Sequence, residues 1–325
     1  MNPRTHLAWF RRVALAGALL AAAVVVLGAW VRLTDAGLGC PDWPGCYGHS
    51  YPQAAHDVGK AWHEMVHRYF AGTLVLVITT LMIWALAFRK DPDQPRAPVL
   101  LLFVIVLFQA ALGALTVTRL LKPLIVTGHL LGGLTTLGIL CWLALAPEQR
   151  ELTAHERRLL PLALFAFAVL ALQIALGGWT STNYAAVACP DFPTCQQSWW
   201  PRMDFRDAFV LWRGLDIDYT GGVLANPARV AIHVTHRMGA ALAGTVLLLV
   251  GLLMAVTGTS SRLRLAGSLV AGAVLLQICI GISMVHFGMP LALAVMHNAG
   301  AALLVICVVA LLRMLVPLPH VHRSR

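Results

Sequence analysis

The fold is decided by LGAW at residues 27–30, followed by CPDWPGC at 40–46, and by LGGW at 176–179, followed by CPDFPTC at 189–195. In both places the cysteine stretch begins ten residues after the tryptophan. The two stretches are separated by the same offset of 149 residues (40 to 189). Self-similarity at a fixed offset is the signature of an internal repeat, so each half is expected to form the same structural unit.

Three further matches extend the repeat along the chain. EMVHR at 64–68 matches HVTHR at 233–237, QAALG at 109–113 matches QICIG at 277–281, and His129 matches His297. The offset rises to 168 or 169 after the cysteines, so the second half carries about 20 extra residues before HVTHR. We therefore predict an N-terminal half of residues 1–150 and a C-terminal half of residues 151–325.

Composition indicates that the main solvent of the chain is lipid. Hydrophobic residues make up 59% of the 325 residues and charged residues only 12%, whereas soluble domains are about a quarter charged. Runs of about 20 apolar residues mark membrane helices. Eight such spans are predicted, at 13–31, 66–88, 97–118, 123–146, 159–180, 230–257, 265–286 and 291–316.

The spans and the repeat together predict the fold class. Lipid offers no partner to unpaired backbone groups, so the fold is expected to be all-α, a polytopic membrane protein. Four spans in each half make both halves enter the membrane in the same direction. The result is two tandem four-helix bundles related by a pseudo-twofold axis along the membrane normal.

The net charge of +10 could suggest a nucleic-acid partner, but the basic residues lie in short clusters between spans and form no recognisable nucleic-acid module. The clusters include Arg11-Arg12, Arg89-Lys90, Arg157-Arg158 and Arg262. By the positive-inside rule they place both termini in the cytoplasm and the cysteine loops in the periplasm of a bacterial inner membrane. The first span resembles a signal peptide but is expected to be retained, because its repeat counterpart lies mid-chain.

Four histidines at matched positions, His67, His129, His236 and His297, are the candidate metal ligands. Ionisable residues within spans mark functional sites by default. Paired imidazoles from facing helices suit the axial ligation of haem iron, whereas a closed zinc site needs about four ligands. The alternative for any one histidine is an interhelical hydrogen bond. His63, His233 and His286 have no matched histidine, and a structural role is favoured for each.

Glu64 marks the difference between the halves, since His233 occupies its place in the second half. Glu64 precedes His67 by three residues and therefore shares its helix face. A carboxylate there suits acid–base chemistry, and its alternative role is to pair with Arg68. The first half is thus the candidate reactive half and the second the candidate electron-carrying half.

The arginines and cysteines at the outer ends of the spans each leave two interpretations open. Arg32, Arg68 and Arg237 could pair with haem propionates or extend to the membrane interface. Cys40, Cys46, Cys189 and Cys195 lie on the oxidising side, where disulfides persist. Four cysteines allow three connectivities, although the short spacing favours local pairs that shape a lid or take part in redox chemistry.

These motifs, taken together over nearly the whole chain, resemble haem A synthase. The resemblance implies that haem O, the substrate, lies between His67 and His129, and that a haem b cofactor lies between His236 and His297. It implies that Glu64 is the essential carboxylate and that one methyl group of haem O becomes a formyl group through hydroxylated intermediates. The cysteine pair of the first loop is similar to one implicated in activity.

Two other classes of protein compete with this interpretation. A b-type electron carrier would suit two equal histidine pairs, but Glu64 and His233 make the halves unequal. A transporter would suit the repeat but needs no histidine pairs. The partners expected for the synthase are membrane lipid, haem O synthase, an unidentified electron donor or acceptor and a second copy of the chain as a homo-oligomer.

Overall fold

The computed structural model describes residues 3–53, 55–146, 152–214 and 217–316. The described residues form helices and no strands. The boundary predicted at residue 150 and both chain termini lie outside the described residues. The helices are α1 Pro3–Leu33, α2 Val58–Ala87, α3 Arg96–Thr118, α4 Pro123–Ala144, α5 Ala154–Thr182, α6 Phe205–Ala208, α7 Asn226–Thr257, α8 Ser261–His286 and α9 Leu291–Leu315.

Eight of these helices are long and apolar enough to cross a membrane, and the prediction of eight spans is confirmed. The exception, α6, is a four-residue helix in the insertion and was not predicted. Several helices begin before the predicted spans, because a hydropathy window detects only the apolar part of a helix. The clearest case is α2, which begins at Val58 after the N-cap Asp57, eight residues before the predicted start at residue 66.

Two helices of the second half begin with residues that favour helix starts. At the start of α5, Thr153 and Glu156 form a capping box, in which each side chain accepts a hydrogen bond from the backbone of the other residue. Pro227 occupies the first turn of α7, where its missing N–H costs nothing. These caps fix the points at which the second half enters and re-enters the bundle.

The helices pack in the same pairs within each half. In the first half α1 contacts α2 and α4, and α3 contacts α4. In the second half α5 contacts α7 and α9, and α8 contacts α9. The two halves meet through α1, α4, α5 and α9, with α1 against α9 and α4 against both α5 and α9. This arrangement is consistent with the predicted pseudo-twofold relation.

Three contacts join residues to their own repeat counterparts. Arg32 contacts Ser181, and Asp35 contacts Tyr184, both across an offset of 149 residues at the outer ends of α1 and α5. Arg313 donates to the Leu145 carbonyl across an offset of 168 residues, near the opposite ends of α9 and α4. Counterparts can touch only close to the axis that relates them. The axis suggested by these contacts therefore runs along the helices.

Small residues bring neighbouring helices together, as is usual where lipid provides no hydrophobic drive for helix association. The closest approach is between α7 and α8. A Cβ built on Gly251 would lie 2.9 Å from the Gly267 carbonyl oxygen, and a Cβ built on Gly267 would lie 2.6 Å from the Gly251 carbonyl oxygen. Alanine at either position would push the two backbones apart.

Candidate functional site

The first histidine pair joins α2 and α4. The ring centroids of His67 and His129 are 6.5 Å apart, and the ring planes are nearly perpendicular, at 83°. Both rings are half-buried. Their Nδ1 atoms are buried and form no hydrogen bond with the described residues. The structure thus brings together two imidazoles that the sequence separates by 62 positions (67 to 129).

This spacing fits one metal ion held between the two rings. Imidazole nitrogens bind metals at about 2 Å, so two rings on opposite sides of one ion have centroids about 6 Å apart. A closed zinc site needs more ligands, and the described residues include no cluster of three or more His, Cys, Asp or Glu side chains placed to hold a metal.

The second histidine pair joins α7 and α9 in the corresponding place. His236 and His297 are half-buried and close enough for their charges to interact. The amide nitrogen of Gln173 on α5 lies 3.0 Å from His236 Nδ1. This contact was missed in the sequence analysis. The pattern Gln-x3-Gly at 173–177 repeats the patterns at 109–113 and 277–281, and that comparison would have found it.

Glu64 lies on α2 one turn before His67 and is almost fully buried, with 4% of its surface exposed. One carboxylate oxygen, Oε2, accepts a hydrogen bond from the Cys40 backbone N–H at 2.9 Å. The other, Oε1, forms an ion pair with the Arg68 guanidinium. The expected partner Arg68 is therefore present, and Glu64 is held in place from both sides.

Arg68 also holds the first cysteine loop. Its Nη1 donates to the carbonyl oxygens of Asp42 at 2.8 Å and Gly45 at 2.5 Å. The loop is closed by a disulfide between Cys40 and Cys46, the local pairing that the spacing favoured. Together, the disulfide, Arg68 and Glu64 form one connected network at the outer end of α2.

The second cysteine loop is built in the same way around a different residue. Cys189 and Cys195 form its disulfide. Arg237 donates to the carbonyl oxygens of Thr194 at 2.8 Å and Cys189 at 3.0 Å. Its Nε lies 3.2 Å from Nε2 of the buried His233, which stands where Glu64 stands in the first half. A neutral ring thus replaces the carboxylate, while the disulfide and the bonds from an arginine to loop carbonyls are kept.

Arg32 occupies the interface between the halves. Its Nη2 donates to the Ser181 carbonyl at 2.6 Å, and its guanidinium lies 4.2 Å from the centroid of the Tyr184 ring. The three arginines expected near haem propionates are thus all engaged with the protein itself, and propionate pairing stays a prediction. Of the unmatched histidines, His63 packs edge-on against Trp30 with ring centroids 5.8 Å apart, and His286 packs against Phe287.

The insertion of the second half packs over the outer ends of both halves. The Ala208 carbonyl accepts from the Trp179 indole at 2.9 Å, and the Tyr219 N–H donates to the Leu120 carbonyl at 3.2 Å. Lys122, which is buried, donates to the Gly214 carbonyl and lies 3.0 Å from the centroid of the Trp212 ring. The insertion therefore anchors the loop between α3 and α4, which leads into the helix of His129.

Fold and site define the chain as a multi-pass membrane protein with a histidine pair in each half and a carboxylate beside one of them. Residues 11–309 match the profile of a family described as cytochrome oxidase assembly protein, and the chain belongs to this family.

Curated relatives carry a more specific name. The chain is 44% identical to the heme A synthase of Shewanella oneidensis over 262 residues, which cover 75% of this chain and 78% of the relative. It is 28% identical to the heme A synthase of an Exiguobacterium species over 60% of this chain and 64% of that protein. With the heme A synthase of Halalkalibacterium halodurans the identity is 27%, over 55% and 62%. The bacterial relatives and the eight spans place the chain in the inner membrane.

Proposed function

We propose that this chain is a haem A synthase, an oxidoreductase that converts one methyl group of haem O to a formyl group through hydroxylated intermediates. With water as the oxygen donor, each hydroxylation replaces a C–H bond of the methyl carbon with a C–O bond and releases two electrons and two protons. A redox partner of the chain accepts the electrons, and loss of water from the doubly hydroxylated carbon gives the formyl group. The observation that carries the proposal is the position of Glu64. It is a buried carboxylate one turn from His67, and the corresponding position of the second half holds His233 instead of an acid.

In this proposal the two histidine pairs have different occupants. His67 and His129 hold haem O in the first half, where Glu64 can accept or deliver protons at the reacting carbon. His236 and His297 hold haem b in the second half, where the counterpart of Glu64 is His233. The haem b iron supplies a one-electron redox centre when bound. Support comes from the ring spacing of the first pair, which fits one iron, and from the matched positions of the second.

Glu64 is proposed to act as the proton-transferring group, and its surroundings suit that role. The Cys40 N–H and Arg68 fix both carboxylate oxygens, so the side chain is oriented before a substrate arrives. Orientation of this kind is what catalytic groups need, because small misplacements of a reacting group are costly. The disulfide loop covers this network and would exclude bulk water from the reacting methyl group.

The remaining assignments are part of the same proposal. The two termini lie in the cytoplasm, and the cysteine loops lie in the periplasm. Haem O synthase supplies the substrate through the lipid, and the chain forms a homo-oligomer in the membrane. Support for this orientation comes from the eight spans among the described residues, because an even number of crossings is what both termini on one side requires.

The test is expression in a bacterium that makes haem O but lacks a haem A synthase of its own, with membrane haems identified by chromatography and mass. Wild type is compared with Glu64→Gln, which keeps a hydrogen-bond acceptor for the Cys40 N–H, and with His233→Gln at the matched position. Haem A or its hydroxylated precursor is expected with wild type and His233→Gln and is expected to be lost with Glu64→Gln. A purified wild type that carries haem b and never yields a haem O derivative would replace this proposal with an electron carrier.

A further inference from the structure

Each of the four histidines packs against a glycine on a neighbouring helix. The four helix pairs are α1 with α2, α3 with α4, α5 with α7, and α8 with α9. A Cβ built on the glycine would lie 3.0–3.5 Å from Cε1 of the histidine. The pairs are Gly28 with His67, Gly113 with His129, Gly177 with His236, and Gly281 with His297. Each glycine thus makes room for one imidazole.

In three of these helix pairs a second close contact lies one helical turn away, between a glutamine and a glycine, and we call this contact the interlock. A glutamine four residues before the first glycine reaches a second glycine, which follows the histidine by three residues. A Cβ built on that second glycine would collide with the glutamine side chain, at 1.8–2.4 Å from its nearest atom. The pairs are Gln109 with Gly132, Gln173 with Gly239, and Gln277 with Gly300.

In the second half the glutamines also bind the histidine segment directly. The Gln173 amide nitrogen lies 3.1 Å from the His236 carbonyl oxygen and 3.0 Å from His236 Nδ1. The Gln277 amide nitrogen donates to the His297 carbonyl at 2.9 Å. Polar side chains that hydrogen-bond across membrane helices tie those helices together. Here each bond fixes the backbone that carries a candidate metal ligand.

The helix pair of His67 lacks this interlock. Val24 occupies the position that corresponds to Gln173 (173 less the repeat offset of 149). Phe70, with 41% of its surface exposed, follows His67 by three residues where the other three histidines have glycine. Valine offers no hydrogen-bond donor, and phenylalanine leaves no notch for one. His67 therefore keeps the contact with Gly28 and a polar contact with the Val24 backbone, but no contact from a glutamine side chain.

We propose that Gln109, Gln173 and Gln277 are positioning residues, each of which packs against its partner glycine and limits the movement of His129, His236 or His297. His67 has no such glutamine and is, of these four histidines, the one that reorients most easily. This inference rests on the proposed function and deepens it. A haem that serves as a cofactor stays bound, whereas a haem that is substrate must enter and leave. A site with one constrained and one less constrained ligand meets that need on the side of Glu64.

The alternative is that the glutamines serve helix packing alone. In that case their loss lowers stability without changing the surroundings of the iron. The two explanations differ in the spectrum of a haem bound by two imidazoles, because that spectrum depends on how the rings are oriented. Conserved partners of metal-binding histidines typically change metal affinity about 10- to 100-fold when removed.

The first arm of the test uses the purified chain in lipid nanodiscs, made in cells that supply haem b but no haem O. Gly300→Ala displaces the Gln277 amide without removing it, and Gly272→Ala, on the helix of Gln277, is the control because a Cβ there meets nothing within 4 Å. Gly300→Ala is expected to shift the low-spin ferric signal in electron paramagnetic resonance and to weaken haem binding about 10-fold. Gly272→Ala is expected to match wild type.

The second arm installs the missing interlock with Val24→Gln and Phe70→Gly together. In cells that make haem O, this variant is expected to retain haem O at least several-fold longer after transfer to haem-free nanodiscs, while the signal of the second half is unchanged. Phe70→Gly alone controls for the lost ring and is expected to release haem O at least as fast as wild type.

Separate outcomes distinguish this inference from the proposed function. If the wild type makes haem A but Gly300→Ala leaves the resonance spectrum and the haem affinity unchanged, the positioning role is overturned and the proposed function stands. If Gly300→Ala shows the expected shifts but the wild type never makes haem A, the positioning role stands and the proposed function is overturned. A wild type without any haem held by two histidines would overturn both.

Discussion

The backbone N–H of Cys40 donates a hydrogen bond to Glu64 Oε2 at 2.9 Å, so the first disulfide loop and the buried carboxylate of α2 share one contact. The second half keeps the loop, the disulfide and the arginine, but places His233 where the carboxylate would be. The connection between a cysteine loop and a buried acid is therefore particular to the first half.

Because of this network, Arg68 and Arg237 are expected to contribute unequally to the stability of the protein. Arg68→Ala leaves Glu64 buried without its ion-pair partner, which typically costs about 3–5 kcal/mol. Arg237→Ala removes similar bonds to loop carbonyls but leaves only a neutral ring behind. Arg68→Ala is therefore expected to lower the thermal unfolding midpoint in detergent more than Arg237→Ala. Equal midpoints would show that the Glu64 ion pair contributes little.

The two disulfides are expected to differ in their effect on product. A crosslink that closes so short a loop contributes roughly 2 kcal/mol, so Cys40→Ser with Cys46→Ser and Cys189→Ser with Cys195→Ser should lose similar amounts of stability. Only the first loop donates to Glu64. Haem A yield per folded protein is expected to fall in the first double variant and not in the second. An equal fall in haem A yield in both double variants would show that the first disulfide does not act through Glu64.

The first loop is expected to loosen in acid. Hydrogen bonds from the Gly48 and Tyr47 N–H groups lower the pKa of the partly exposed Asp42 carboxyl below its usual value. Because this pKa is lowered on folding, ionised Asp42 stabilises the loop fully above about pH 4, the ordinary aspartate value, and the contribution is lost as pH falls through the lowered value. Amide exchange at Gly48 should show the loss. Asp42→Asn should remove the pH dependence while leaving part of the hydrogen bonding.

Arg32 offers a test of the interface between the halves. Arg32→Ala removes the bond to the Ser181 carbonyl and should lower the free energy of unfolding by about 2 kcal/mol, since the donor is charged. Arg32→Lys should recover only part of this loss, because lysine cannot stack on Tyr184 in the same way. Haem content per folded molecule is expected to stay at the wild-type level in both variants. A drop in haem content in Arg32→Ala, restored by Lys, would instead support pairing with a propionate.

The spans, the repeat and the paired histidines could be predicted because each depends on a pattern written along the chain. Apolar runs mark helices in lipid, and repeated sequence motifs mark equivalent positions in the two halves. The pairing of His67 with His129 was implied by the resemblance to haem A synthase, and the structure brings the two rings together. Local disulfides followed from short spacing, which the structure bears out for Cys40 and Cys46.

Other features depend on contacts that no local pattern encodes. The bond from the Cys40 backbone to Glu64 joins a loop to a helix, and a backbone donor leaves no trace in the sequence. The arginines were predicted either to pair with propionates or to extend to the interface, and neither alternative included the bonds of Arg68 and Arg237 to loop carbonyls, which any residue could provide. Propionate pairing stays a prediction. The short helix α6 was missed since four residues in a polar insertion carry no periodic signal.

Arg32 and Ser181 hold the same place in the two halves and touch each other, as do Leu145 and Arg313 at the far side of the bundle. Two identical subunits that pair about a twofold axis have this property, because a residue on the axis meets its own copy. The joint between the halves thus has the geometry of a homodimer interface inside one polypeptide. In a true homodimer an arginine on the axis would face a second arginine. Fusion of the two copies into one gene removes that constraint, since each side can then change alone and a cation can be matched with a neutral partner.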